Sequence, residues 1–339
     1  MRGDPVRDRI GQIPGRTLTA CWTRAIGGQK DSVKTSLDHL PDAKRDELKR
    51  VVEILFAEFE DALKGRNAPH RKAGRILKII LFGSYATGKW VDDPKGGYKS
   101  DYDLLVVVNH EELTKLEDYW GPADDHLLRE YQVTGRLTAP AHFIVHSLTD
   151  VNDQLKHGRP FFLHILNDGI ELYEAPDHPF EQPKVLSPAE ALAEAEQHYA
   201  QWIASVPEFM GTAEYAASRG WSKKAAFDLH QATERLYHGV ALVLTLYSPK
   251  SHKLNFLRSQ AERLVPGLIE AWPRETRFQQ RSWEMLRRAY VEARYSKHYK
   301  ITAEELAWLS ERIAVLATLV RQACDQRLET LRSAAGQAD

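Results

Sequence analysis

Residues 82–108 read FGSYATGKWVDDPKGGYKSDYDLLVVV. The chain leaves an apolar run at Phe82, turns at Gly83 and Ser84, crosses a polar Gly-rich loop, and places Asp101 and Asp103 at the head of a second apolar run, Leu104 to Val108. On an extended strand the i, i+2 spacing points both carboxylates to one face, where they converge. Like charges held that close repel, and a pKa rises unless a cation lies between them. A hard divalent ion with oxygen ligands, Mg²⁺ above all, is the usual resolution, and such an ion commonly shares its shell with substrate phosphates. Gly83 and Ser84 supply the complementary half. A glycine at a strand-to-helix turn lets the backbone approach phosphate oxygens, and a serine hydroxyl with neighbouring N–H groups can hold a triphosphate. A lone D-x-D is frequent at solvated strand ends. Flanked by Gly-Ser and two apolar runs, it carries far more weight.

Working outward, residues 75–82 have the length and β-branched character of a buried strand, and 104–108, 142–146 and 169–173 read the same way. Leu48, Val51, Leu55, Phe59 and Leu63 repeat at helical spacing upstream. Residues 175–188 are punctuated by Pro176, Pro179, Pro183 and Pro188 and read as a linker. Three helical stripes follow. They run through Leu192, Ala195, Tyr199, Trp202, Ile203 and Val206, then Ala226 to Val243 opened by Ser222 as N-cap, then Leu306 to Ala323 opened by a Thr302–Glu305 capping box. The expected fold class is α+β, a mixed sheet flanked by helices followed by an all-α antiparallel bundle. The expected divisions are an extension at 1–32, a first domain at 33–175, a linker at 176–188 and a bundle at 189–332. Translation beginning near Val33 and a genuine N-terminal tail are both consistent with the composition of 1–32.

The chain has 339 residues, 43% apolar and 27% charged, with a net charge of −1, so any basic site is local. Cys21 and Cys324 match no metal or disulfide spacing, and no apolar run approaches the ~20 residues that span a bilayer. A cytoplasmic, bacterial-type protein without membrane contact is the expectation.

The 82–108 stretch resembles the minimal nucleotidyltransferases of the DNA polymerase beta superfamily, whose signature is Gly-Ser, a spacer, then Asp-x-Asp. The resemblance implies metal-dependent transfer of a nucleoside monophosphate from an NTP, ATP being the expected one, to a hydroxyl. It implies that Gly83 and Ser84 bind the triphosphate and that Asp101 and Asp103 are catalytic metal ligands. Two departures stand out. The spacer from Ser84 to Asp101 is long, so 91–99 reads as an inserted hairpin or loop, tolerable at a surface turn. The third carboxylate of the family, on the next strand, aligns with His142. A neutral imidazole suits Mn²⁺ better than Mg²⁺, and a hydrogen-bonded structural histidine is the other reading of His142.

Residues 224–237, 251–254 and 289–299 resemble a HEPN domain, a family of dimeric helical bundles often encoded beside minimal nucleotidyltransferases. That implies a homodimer or higher oligomer through the helical half. Many HEPN domains are ribonucleases using an Arg/His pair, but here Arg294 and His298 lie closer together than that pattern. Between 274 and 300 there are eight Lys/Arg and three Glu, a local basic bias. It reads either as a phosphate or RNA site including Arg288, Arg294, Lys297 and His298, with Glu234 nearby, or as a solvated face; the other reading of Glu234, with His230 and His252, is as polar members of the bundle core or its dimer face. The family's toxin–antitoxin pairs modify a tyrosine near the Arg/His motif, which nominates Tyr295 and Tyr299. The acceptor could thus be a protein side chain, an RNA end or a small molecule in a resistance role. The alternatives are a degenerate nucleotide sensor with a HEPN module for dimerisation or RNA binding, and a HEPN ribonuclease regulated by the transferase domain.

Overall fold

The computed structural model describes residues 33–64, 68–93 and 98–337; the expected extension at 1–32 lies outside them. Helix α1, Asp42–Leu63, buries Leu48, Val51, Leu55 and Phe59 along the stripe its periodicity predicts. Strand β1, Ile76–Phe82, runs into a one-turn helix α2, Ser84–Thr87. Two short strands, β2 Asp92–Asp93 and β3 Tyr98–Lys99, pair antiparallel and form the inserted hairpin. Then come β4, Tyr102–Val108, α3, Gly121–Gln132, β5, Ala141–Ser147, α4, Leu148–Lys156, α5, Pro160–Asp168, and β6, Ile170–Glu174.

The sheet has the order β5-β4-β1-β6, with β1 antiparallel to β4 and β6 and β4 parallel to β5. Every residue of β1 and β4 is buried, because both faces are covered. Ile79, Leu81, Leu104 and Val106 pack with α1 and Trp120 on one side, while Leu77, Ile80, Leu105 and Val107 pack with α4 and α5 on the other. Period-2 alternation assigns the side chains of β4 and of β1 from Ile79 onward to their layers, while a register irregularity between Ile76 and Lys78 sets Leu77 in the same layer as Ile80. Four charged side chains, Glu47, Lys78, Asp103 and Glu130, are buried within this half. Lys78, at 2% exposure, pairs with Glu171 and Glu174 of β6. Glu47 of α1 accepts from Tyr102 Oη at 3.0 Å and from Thr138 N and Oγ1 at 2.9 and 2.7 Å.

The second half is helical: α6, Pro188–His198, α7, Val206–Ser218, α8, Ser222–Thr245, α9, Leu254–Leu264, α10, Arg277–Tyr295, and α11, Ala303–Ala335. This is the expected α+β arrangement. The Thr302–Glu305 capping box is formed, and Ser187–Glu190 and Thr276–Gln279 form two more. Ser222 is not a cap: it is the first helical residue, and Trp221 precedes it without a capping side chain. α8 runs through the bundle centre, with even Asp228, His230, Glu234 and His238 buried.

Among the described residues the two halves meet chiefly through α9 and the segment before it, and also through Arg159 on Glu194. Phe256 of α9 is buried in the cluster beneath β1 and β4, and Tyr247 stacks on Phe161 at 4.1 Å. Tyr247 Oη lies 2.8 Å from His146 Nε2, and Lys253 pairs with Asp124.

Candidate functional site

Gly83 ends β1 with φ 77° and ψ −147°, a region that only glycine occupies without strain, and so turns the chain directly into α2. Phe82 is paired across the sheet with Asp103, which brings the turn beside that carboxylate. A Cβ on Gly83 would stand 2.9 Å from Asp103 Oδ2. Ser84 Oγ is buried and has no hydrogen-bond partner among the described residues. An unsatisfied buried hydroxyl is expensive to keep, which marks it as a group kept for something other than stability.

The parallel pairing of β4 with β5 sets Asp103 opposite His142. His142 Nε2 lies 3.6 Å from Asp101 Oδ2, so Gly83, Ser84, Asp101, Asp103 and His142 converge at one end of the sheet. Burial raises Asp101 to about 6, against the lowering influence of Arg263 and the Ser259 hydroxyl. Asp103, 1% exposed, is also pushed up by burial and pulled back by Arg263. Burial lowers His142 and favours its neutral form. Its ring rests 5.3 Å from that of Phe256.

Three side chains of α9, more than 150 positions away, close over the carboxylates. Arg263 Nη1 donates to Asp103 Oδ2, Gln260 Nε2 donates to Asp103 Oδ1 at 2.7 Å, and Ser259 lies beside Asp101. None of the three was legible in the sequence. Arg258, Arg263 and Glu262 read as an ordinary charged helix face, and only the docking of Phe256 shows that this face points inward.

Two carboxylates and an imidazole are a chemically suitable donor set for a divalent cation, and the guanidinium of Arg263 stands in for one here. Among the described residues, no group of three or more His, Cys, Asp or Glu is arranged to hold a metal ion in this conformation, and both Asp103 oxygens are engaged by α9.

The second expected constellation is only partly assembled. Arg294 is exposed, with its guanidinium over the rings of Tyr290, Tyr295 and Phe227 and Nε donating to Tyr290 O at 2.6 Å. His298 is exposed close by in sequence. Glu234 does not join them at the surface. It is 7% exposed, and its carboxylate accepts from His252 Nδ1 at 2.9 Å and Gln231 Nε2 at 3.2 Å. A buried carboxylate held this way belongs to the bundle interior and would repel a phosphate. Part of the basic bias is neutralised, with Arg281 on Glu305, Arg287 on Glu284 and Arg288 on Glu292 through Nε and Nη2. Of the nominated tyrosines, Tyr295 is 76% exposed, whereas Tyr299 is 2% exposed and donates to Met285 O at 2.8 Å. Tyr299 is a structural residue in this conformation and presents no hydroxyl to an incoming group.

Comparison with known families agrees with the two resemblances. Residues 63–134 match the nucleotidyltransferase domain and residues 199–321 match the HEPN domain. Among curated proteins, none matches the sequence. No helix among the described residues is long and apolar enough to cross a membrane.

Proposed function

We propose that this chain, an N-terminal nucleotidyltransferase domain followed by a HEPN domain, transfers a nucleoside monophosphate from an NTP, ATP first among them, to a hydroxyl. The observation that carries the reading is the convergence of the Gly83 turn and the unsatisfied Ser84 hydroxyl with Asp101 and Asp103. The Gly83 backbone and Ser84 Oγ would hold the triphosphate, and Asp101 and Asp103 would hold the cation that accompanies it. Bound there, Mg²⁺, or Mn²⁺ with His142 as a further ligand, would neutralise phosphate charge and stabilise the departing pyrophosphate.

Tyr295 supports a protein side chain as the acceptor class, in line with a toxin–antitoxin role, since it is exposed beside Arg294. A dimer through the helical half belongs to the same proposal and would let one copy modify another. A second reading, a nucleotide sensor without turnover, is favoured by the engagement of both Asp103 oxygens. Incubation with each α-labelled NTP and Mg²⁺ or Mn²⁺, beside Asp101→Ala/Asp103→Ala, separates them. Label transfer or pyrophosphate release that the double variant abolishes supports the transferase, and tight binding without release, with all four nucleotides, supports the sensor.

A further inference from the structure

Asp103 is among the most buried charged groups of the molecule, and a buried carboxylate is held ionised only by an adjacent cation or several donors. Its donors come from α9 of the helical half: Arg263 on one oxygen and Gln260 on the other. The side chain of Arg263 is 22% exposed, so the pair sits at the mouth of the site rather than deep in a core. Its guanidinium occupies the space a Gly83 Cβ would take, between the Gly83 turn and Asp103. The helix bearing it is anchored by Phe256 against His142 and by Lys253 on Asp124, so Arg263 is delivered to the carboxylate by the docking of the second half on the first.

We propose that Arg263 is the resident cation of the transferase site: it competes with a divalent ion for Asp103, so that binding of the ion frees the Gln260–Arg263 end of α9 from the carboxylate while its Phe256 end stays docked. Resting on the reading of Asp101 and Asp103 as cation-binding groups, this assigns to Arg263 a positioning role through Asp103. A divalent ion and a guanidinium on one carboxylate oxygen repel each other at contact distance, and the doubly charged ion is the stronger competitor for the anion. The guanidinium therefore leaves Asp103 when the ion arrives. Gln260, a neutral donor on the other oxygen, is lost with it if the ion uses both. Lys253–Asp124 and the Phe256 contact then remain as the hinge-side attachments of α9.

The test uses the full chain and Mn²⁺ alone, without nucleotide, with binding followed by electron paramagnetic resonance or calorimetry. Arg263→Gln is expected to bind Mn²⁺ on the order of tenfold more tightly than the parent protein, and Arg263→Lys, which keeps the charge, about as weakly as the parent. Asp101→Asn should abolish the site in both backgrounds. In the parent protein, saturating Mn²⁺ should speed backbone hydrogen exchange in α9 while leaving α8 unchanged, a readout that needs no variant to fold. Mn²⁺ binding that depends on Asp101 yet is equally tight in the parent and Arg263→Gln, or that leaves α9 exchange unaltered, would overturn the role of Arg263. No Mn²⁺ binding to any of these proteins would overturn the reading of the carboxylates themselves, and this inference with it.

Discussion

Gly83→Ala tests the geometry on which the site depends. At φ 77° and ψ −147° an alanine is held in a region essentially reserved for glycine, which costs about 1–3 kcal/mol. Its Cβ would also overlap Arg263 Nη1 and stand 2.9 Å from Asp103 Oδ2. The guanidinium is the end of a flexible side chain and can swing aside, but doing so weakens a charge-assisted hydrogen bond worth roughly 1.5–3 kcal/mol. Together these give a loss of about 3 kcal/mol, or roughly 6–12 °C in melting temperature for the domain concerned. Gly211→Ala is the matched control. Gly211 lies inside α7 with ordinary φ and nothing within 4 Å of a built Cβ, so alanine there should stabilise by up to about 1 kcal/mol through helix propensity. Scanning calorimetry of the parent and the two variants provides the comparison. If Gly83→Ala melts within about 1 °C of the parent, the strained turn and the close approach of Arg263 are both wrong as described.

Glu47→Ala should destabilise by about 2–4 kcal/mol in urea denaturation, since it strands Tyr102 Oη and two Thr138 donors, whereas Glu60→Ala on the exposed face of α1 should stay within about 0.5 kcal/mol. Burial lowers His230 to about 3 and His238 to about 4, so both stay neutral in the folded helical half while the unfolded chain takes up protons below about 6.5. The stability they contribute is present above that value and is lost as pH falls. Between pH 7 and pH 5 denaturation should show a loss of up to about 4 kcal/mol, reduced by Glu234, whose raised pKa acts in the opposite sense; a flat profile would refute the buried neutral histidines. Tyr299→Phe should cost about 1 kcal/mol by losing its bond to Met285 O, while Tyr295→Phe should be neutral in stability and, if Tyr295 is the acceptor, remove nucleotide mass seen on the parent protein by intact-mass analysis with ATP.

Much of this protein is written in local patterns. The short, continuous, β-branched apolar runs of β1 and β4, each closed by a turn, read as strands buried on both faces. The 3.6-residue stripes of α1, α8 and α11 can only be packed helices, because a misassigned period would put half of each apolar set in water. Gly83-Ser84 and Asp101-x-Asp103 are legible for the same reason: the chemistry needs those residue types within a few positions of a strand end. His142 was legible from the resemblance as the residue in the third-carboxylate position, and the parallel register of β4 and β5 sets it opposite Asp103. Burial separated Tyr295 from Tyr299, two tyrosines the sequence does not distinguish, and placed Glu234 in the bundle interior rather than in a phosphate site. Most consequential are Ser259, Gln260 and Arg263. A charged side chain has the same sequence signature whether it faces solvent or a buried carboxylate, and only the docking of α9, through Phe256, turns Arg263 from a surface cation into the partner of Asp103.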